Sequence, residues 1–368
     1  MEVEHVPLNS LARHVAPLRA TLLAAMASVL DSGHYVLGAG VDAFEAEFAA
    51  YCGTTHCVGV ANGSDALELA LKATGVGPGD RVAMAANAAM YAATAAMACG
   101  AEPVFVDVGE DATLDPAAVE RACDGHRPLR AVVATHLYGR LARMEPIAAT
   151  CSARGIALVE DCAQAHGARA RDGRRAGAFG DAAAFSFYPT KNLGALGDAG
   201  AVTTGDAAVA SRLRALRQYG WERKYVNATC GGRNSRLDEL QARVLSEKLP
   251  LLDGWNRRRR GIANRYSDGI RNPAITVPGG IDEDHVAHLY VVHCDARDRL
   301  GAHLAAAGIA SDVHYPVPDH RQPCFGSRHA ALSLPVTERH ARTALSLPCF
   351  PELTDREVER VIDACNRF

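Results

Sequence analysis

The 368 residues are 48% hydrophobic and 22% charged with a net charge of −3. That is the composition of a globular chain with a large core, and it removes the electrostatic case for nucleic acid or an anionic membrane as partner. Eleven scattered cysteines, without a CxxC pair or a metal-type Cys/His spacing, predict reduced structural thiols in a cytoplasmic protein and no metal centre.

The opening MEVEHVPLNS is acidic and lacks a basic-then-apolar leader, so no signal peptide is expected. Short apolar runs then alternate with helical spacing: CVGVAN (57–62), RVAMAA (81–86), EPVFVDV (102–108), AVVATHLYG (131–139), ALVEDCAQ (157–164), DAAAFSFYP (181–189) and GAVTTG (200–205) read as strands. Runs apolar throughout predict a mostly parallel seven-stranded sheet with helices on both faces. The last two lie close enough in sequence for an antiparallel strand. The alanine-rich 83–101 has the length of a membrane span, but Asn87, Tyr91 and Thr94 interrupt it, and a buried helix of the α/β layer is the expectation. A long helix from about Arg236 to Arg265, broken near Pro250, leads to HLYVVHC (288–294), RDRLGAHLAAAG and TDREVERVIDAC. This divides the chain into a large α/β domain with an N-terminal arm, 1–250, and a smaller α+β domain, 251–368.

Three stretches carry chemistry. ANGSDALELAL (61–71) runs from a strand into a helix, so free N–H groups and the helix dipole converge where a phosphate could sit. The bland alternative is capping by Ser64. ALVEDCAQAHG (157–167) places Glu160 and Asp161 at a strand end, the usual ligand edge of an open α/β sheet; a structural ion pair has equal standing. A metal at Glu160, Asp161 and His166 is the weaker reading, since no second histidine recurs at helical spacing. FSFYPTKNLGALGDAG (185–200) holds Lys191, one of only four lysines among 39 basic residues. Arginine cannot supply a neutral amine, whereas a desolvated lysine can. A phosphate anchor, a strand-end acid and a strand-end lysine together suggest pyridoxal 5'-phosphate.

Longer blocks sharpen this. SGHYVLGAGVDAFEAEFAAYCG, ANGSDALELAL, EPVFVDV, HLYG, VEDCAQAHGA, FSFYPTKNLGALGDAGAV, NSRLDELQA and HYPVPDH resemble the sugar aminotransferases of the DegT/DnrJ/EryC1/StrS family, within fold-type I of the pyridoxal-phosphate enzymes. The resemblance runs from about residue 7 to the C-terminus. It implies Lys191 as the Schiff-base lysine and proton carrier, Asp161 as partner of the pyridinium nitrogen, and Gln164 near the ring hydroxyl or ring face. It also implies Gly63, Ser64 and Ser186 around the phosphate, and Asn234 reaching the phosphate of a second subunit in a homodimer. Tyr91 is the candidate ring-stacking residue, where many members have a different sequence. Tyr315 and His320 match positions near the sugar nucleotide, with Tyr35, Tyr219 and Arg236 as further candidates.

The implied reaction moves an amino group from glutamate, through pyridoxamine 5'-phosphate, to a nucleotide-linked keto sugar. NAAMYAATAA and RQYGWERKY look more like members acting on dTDP-3-keto-6-deoxyhexoses than on 4-keto sugars. The alanine and arginine bias points to a high-GC genome and a secondary-metabolite amino sugar. Arg140 after HLYG and Arg233 before the NSRLDE asparagine depart from the common pattern; each contacts either the substrate pyrophosphate or only the surface. A dehydratase on the same scaffold would have lost Lys191, and a non-catalytic regulatory homologue has no need of Asp161, Gln164 and Lys191 together.

Overall fold

The computed structural model of the chain describes residues 5–368. In chain order it contains α1 (Leu11–Val15), α2 (Arg19–Ser32), α3 (Ala39–Cys52), β1 (His56–Val60), α4 (Gly63–Ala73), β2 (Arg81–Ala85), α5 (Tyr91–Ala98), β3 (Glu102–Val106), α6 (Pro116–Cys123), β4 (Ala131–Thr135), α7 (Met144–Arg154), β5 (Ala157–Asp161), β6 (Ala182–Ser186), β7 (Gly200–Thr204) and α8 (Ala207–Leu216). A small hairpin, β8 (Trp221–Arg223) and β9 (Val226–Asn227), precedes α9 (Glu239–Lys248) and α10 (Leu252–Gly269). Then follow β10 (Tyr290–His293), α11 (Arg297–Ala306), α12 (Pro335–Thr343), β11 (Ala344–Leu347) and α13 (Asp355–Arg367). The break between α9 and α10 is a 3-10 turn through Pro250, whose missing N–H and fixed φ end the first helix.

Seven strands form one sheet in the order β1-β7-β6-β5-β4-β2-β3. β7 is antiparallel to both neighbours, and β2 to β6 run parallel through β3, β2, β4, β5 and β6. Successive residues of each strand enter different cores. Val132 and Ala134 of β4 pack with Phe44 and Phe48 of α3 and Ile147 of α7; Ala131 and Val133 pack with Leu67 and Leu71 of α4 and the alanines of α5. β2 divides the same way, with Ala83 and Ala85 on one side and Val82 and Met84 on the other. Strands covered on both faces need apolar residues at every position, which is why these segments read as unbroken apolar runs. The stretch 83–101 is the end of β2, a turn and α5, whose Ala92, Ala93, Ala95 and Ala96 are buried.

A separate core gathers Ile262 and Tyr266 of α10, Leu300 and Leu304 of α11, and Val358 and Val361 of α13 around the antiparallel β10–β11 pair. The N-terminal arm reaches it: Val6 is fully buried there and pairs through its backbone with Gly308 and Ala310. In the other direction, Phe325 and Leu334 pack into the α4/α5 core of the large sheet. The C-terminal segment therefore contributes to both cores. Among the described residues, Leu11–Ser32 has the length and mean hydropathy (1.3) of a membrane span. However, α2 lies against α9 and buries Leu22, Ala25 and Val29 there.

Candidate active site

Strand parity builds the site. Val133 of β4, Val159 of β5 and Ala184 of β6 all face the α4 side, so two residues on Thr135, Asp161 and Ser186 leave three adjacent strand ends toward that same side. Thr135 and Asp161 are direct register partners. Glu160, one residue earlier, must face the opposite way.

The two acids consequently live in different surroundings. Glu160 is fully buried and accepts hydrogen bonds from the N–H groups of Gly177 (2.9 Å), Phe179 (2.7 Å) and Gly180 (2.8 Å) and from His136 Nε2 (2.9 Å). His136 Nδ1 accepts from the Ala142 N–H (3.1 Å), which makes Nε2 the donor. Burial alone would raise the Glu160 carboxyl, yet His136 and the backbone donors hold it below its ordinary value. His136, Glu160 and Cys162 bring ligand-type atoms within 4.8 Å, but both imidazole nitrogens and the carboxylate are already committed to these bonds. Asp161 is 4% exposed and receives only the Ala163 N–H (3.1 Å) and the Thr135 hydroxyl (3.3 Å). Burial raises its carboxyl, against the pull of Ala163, Lys191, His136 and Thr135. A cation against it would keep it ionised.

At the start of α4 the cap is Asn62, not Ser64: its side chain accepts from the Asp65 N–H (2.9 Å). Ser64 is free of the capping role, and the N–H groups of Gly63 and Ser64, in the first turn, have no partner in the helix ladder. A Cβ on Gly63 would stand 2.5 Å from Cβ of Ser186, so only glycine lets the helix start meet the end of β6. Two hydroxyls and free backbone donors thus converge, as an anionic phosphate requires. Lys191 sits in the turn after β6, its N–H bonded to the Tyr188 carbonyl (2.8 Å). Burial lowers its amine, and Asp161 draws it back up.

These groups line one cavity of about 310 Å³, holding Gly63, Ser64, Tyr91, Asp161, Ser186 and Lys191. A second compartment of about 280 Å³ shares Tyr91, Gln164, Tyr188 and Lys191 with the first and adds His288, His314 and Tyr315. Gln164 joins the two walls, donating to the Tyr315 hydroxyl (3.1 Å) and accepting from the Tyr138 N–H (2.6 Å). Tyr91 follows two non-glycine residues in the left-handed region, Ala89 (φ 54°) and Met90 (φ 68°), a strained turn of the kind found beside ligand sites. A larger cleft of about 650 Å³ holds Glu110, Tyr138 and Arg339 but none of the residues singled out for the cofactor.

Other candidates lie elsewhere in the chain. Tyr35, Tyr219 and Asn234 are exposed and, with Arg236, line neither compartment. His320 is buried beside Phe105, with Nε2 3.0 Å from Glu338 Oε1, and also lines neither. Arg140 donates to the carbonyls of Gly279 and Gly280 and pins that loop. Arg233 pairs with Asp65 and Glu68 of α4. The sequence reading missed Asn62, Thr135 and Lys248. Lys248 is 1% exposed and donates to the Gly194 carbonyl (2.6 Å), behind the Lys191 turn; burial brings its amine down to about 8. The scarcity of lysine that marked Lys191 applied equally to it.

One cofactor matches this combination. Pyridoxal 5'-phosphate needs a buried carboxylate for its ring nitrogen, an anion cradle at the opposite end and a lysine of lowered basicity between them, and the residues present fit each need. Fold and cavity together define a fold-type I pyridoxal-phosphate enzyme. Residues 17–366 match the DegT/DnrJ/EryC1/StrS aminotransferase family, and the chain belongs to that family, whose members use pyridoxal phosphate. It is 49% identical over its whole length to the dTDP-3-amino-3,4,6-trideoxy-alpha-D-glucose transaminase of Streptomyces venezuelae, covering 97% of that protein. It is 46% identical to the dTDP-3-amino-3,6-dideoxy-alpha-D-galactopyranose transaminase of Aneurinibacillus thermoaerophilus, with 94% of each chain covered. The crystal structure of S. venezuelae DesV in complex with a ketimine intermediate superposes with a TM-score of 0.93 at 48% identity, over 99% of this chain and 98% of that one.

Proposed function

We propose that this aminotransferase aminates a dTDP-3-keto-6-deoxyhexose, taking the amino group from L-glutamate, in the biosynthesis of a deoxyamino sugar for a secondary metabolite. The observation that carries the reading is the position of Lys191 between two compartments. One has the donors for a phosphate and a ring; the other, walled by Tyr315, His288 and His314, is suited to the substrate being exchanged. The names of the two relatives support amination at C3 of a dTDP sugar.

When bound, the cofactor supplies the electron sink that makes a proton on carbon removable. The chain supplies the rest. Asp161 holds the ring nitrogen, and Thr135 and the Ala163 N–H keep that carboxylate aimed. Ser64, Ser186 and the first amides of α4 hold the phosphate. Lys191, whose amine burial makes less basic against the pull of Asp161, carries the proton between carbon atoms at its Nζ. Gln164 and Tyr91 close the ring face.

Tyr35, Tyr219, Arg236 and Asn234 serve the site of a second subunit in a homodimer. Support comes from the exposure of Tyr35, Tyr219 and Asn234 and from exposed apolar side chains near them in sequence, Val36 (39% exposed), Tyr225 (77%) and Val226 (39%). The segments 1–250 and 251–368 act as two domains tied by the Val6 arm. The enzyme works in the cytoplasm.

The test is a panel of dTDP-, UDP- and GDP-linked 3-keto and 4-keto sugars with glutamate, followed by mass detection of the amino sugar. Product from the dTDP-3-keto-6-deoxy substrate is expected. Product only from a 4-keto sugar would replace this reading with 4-amination.

A further inference from the structure

Asn192, next to Lys191, is 2% exposed and uses every polar atom of its amide. Its Nδ2 donates to Asn256 Oδ1 (2.9 Å) in α10 and to the Val286 carbonyl (3.2 Å), and its Oδ1 lies 3.0 Å from His288 Nδ1. Asn256 in turn donates through Nδ2 to the His166 carbonyl (2.8 Å). Two backbone carbonyls, which can only accept, therefore set the direction of the whole chain. His166 O fixes the amide of Asn256, Val286 O fixes that of Asn192, and the end left for His288 is an oxygen. His288 must then carry its proton on Nδ1 and a lone pair on Nε2.

His288 lines the second compartment with Lys191, and its Nε2 has no hydrogen-bond partner among the described residues. Burial keeps the ring neutral, and the cationic or protonatable groups facing it (Lys191, Arg259, His166 and His314) act in the same direction. Arg259, one turn after Asn256, donates to the carbonyls of Ala287 (3.3 Å), His288 (3.3 Å) and Cys349 (2.5 Å). The backbone bearing His288 is thus clamped from behind.

The geometry points to Asn192 as a positioning residue that holds His288 in the Nδ1-protonated form, so that Nε2 accepts a hydrogen bond from the Lys191 amine whenever that amine is free. This rests on Lys191 being the cofactor lysine and goes beyond it: the lysine's neighbour in sequence orients the lysine's partner in space. An acceptor at this place favours Lys191 in its protonated state and so assists the half of the cycle in which the amine holds the migrating proton.

The test uses the cofactor-loaded protein. First, borohydride reduction must abolish the visible band of the wild type; if it does not, the Lys191 reading itself fails. With that in hand, the acid limb of the kcat–pH profile, where the Lys191 amine must lose its proton to act as base, is measured for His288→Phe, His288→Gln and Asn192→Leu. Removing the acceptor should move this limb down by about half to one pH unit and lower kcat at least several-fold, with KM for glutamate changed far less. His288→Gln, whose side-chain oxygen can accept in place of Nε2, should recover most of both. Asn192→Leu should reproduce His288→Phe, and the double variant should add little further. Circular dichroism and cofactor content establish that each variant is folded. If Asn192→Leu does not fold, the His288 pair still decides. A His288→Phe enzyme with the wild-type limb and kcat overturns the proposal, as does an Asn192→Leu enzyme that only melts earlier.

Discussion

The two sides of the β5 end hold neighbouring carboxylates with opposite fates. On the α3 side Glu160 is surrounded by four donors and lines none of the cavities described above; on the α4 side Asp161 has two longer bonds and faces about 310 Å³ of open space. A buried acid whose lone pairs are all engaged fixes a fold, and one left short of partners beside a cavity is prepared for a ligand. Burial is nearly the same for both, so partner count carries the distinction.

Substitutions can break that contrast. The largest effect is expected at Asp161→Asn: about 100-fold or more lost in kcat, with melting temperature close to wild type, because the amide cannot stabilise a protonated ring nitrogen. Glu160→Gln should reverse the pattern. It leaves a hydrogen-bond donor against the N–H groups of Gly177, Phe179 and Gly180, lowers stability by about 2–4 kcal/mol, and leaves kcat per folded, cofactor-bound site within a few-fold. Chemical denaturation beside steady-state kinetics separates the two. Equal loss of activity in both variants would remove the contrast.

Gly63→Ala comes next. Its Cβ would press on Ser186 at 2.5 Å, and cofactor retention should weaken about tenfold, read by dialysis and absorbance. The smallest effect is a pH dependence. His166, fully buried between Phe185 and Phe187, is lowered to about 3, first by burial and then by Lys191. Below about 6.5 the unfolded chain binds a proton that the folded one refuses, so stability falls with pH by about 1.4 kcal/mol per unit for this residue, down toward 3. Denaturation at pH 7 and pH 5.5 should show a shallower dependence in His166→Phe.

Much of this was legible in the chain and some was not, for physical reasons. Unbroken apolar runs disclosed a two-sided sheet, and the close spacing of DAAAFSFYP and GAVTTG anticipated the antiparallel β7. From their own residues Glu160 and Asp161 read equally as ligand groups or as a structural pair, because a strand both of whose faces are apolar gives no sign of which side carries the cavity. The register with Thr135 turns Asp161, not Glu160, to the cavity side. Ser64 looked like a cap because serine suits that place, but Asn62, two residues earlier, supplies the oxygen. His320 sat in a motif that promised the substrate side, yet its ring is drawn to Glu338, a residue 18 positions later. Asn192, His288 and Lys248 were invisible because their partners are 54 to 96 residues away in sequence.

The central claim is that Lys191, alone of the four lysines, carries the cofactor. Borohydride reduction of the loaded protein followed by peptide mapping tests it directly. The account predicts a pyridoxyl mass addition on the peptide containing Lys191 and loss of both label and visible band in Lys191→Ala. Label on Lys72, Lys224 or Lys248 of the wild type, or an unchanged band in Lys191→Ala, would contradict it.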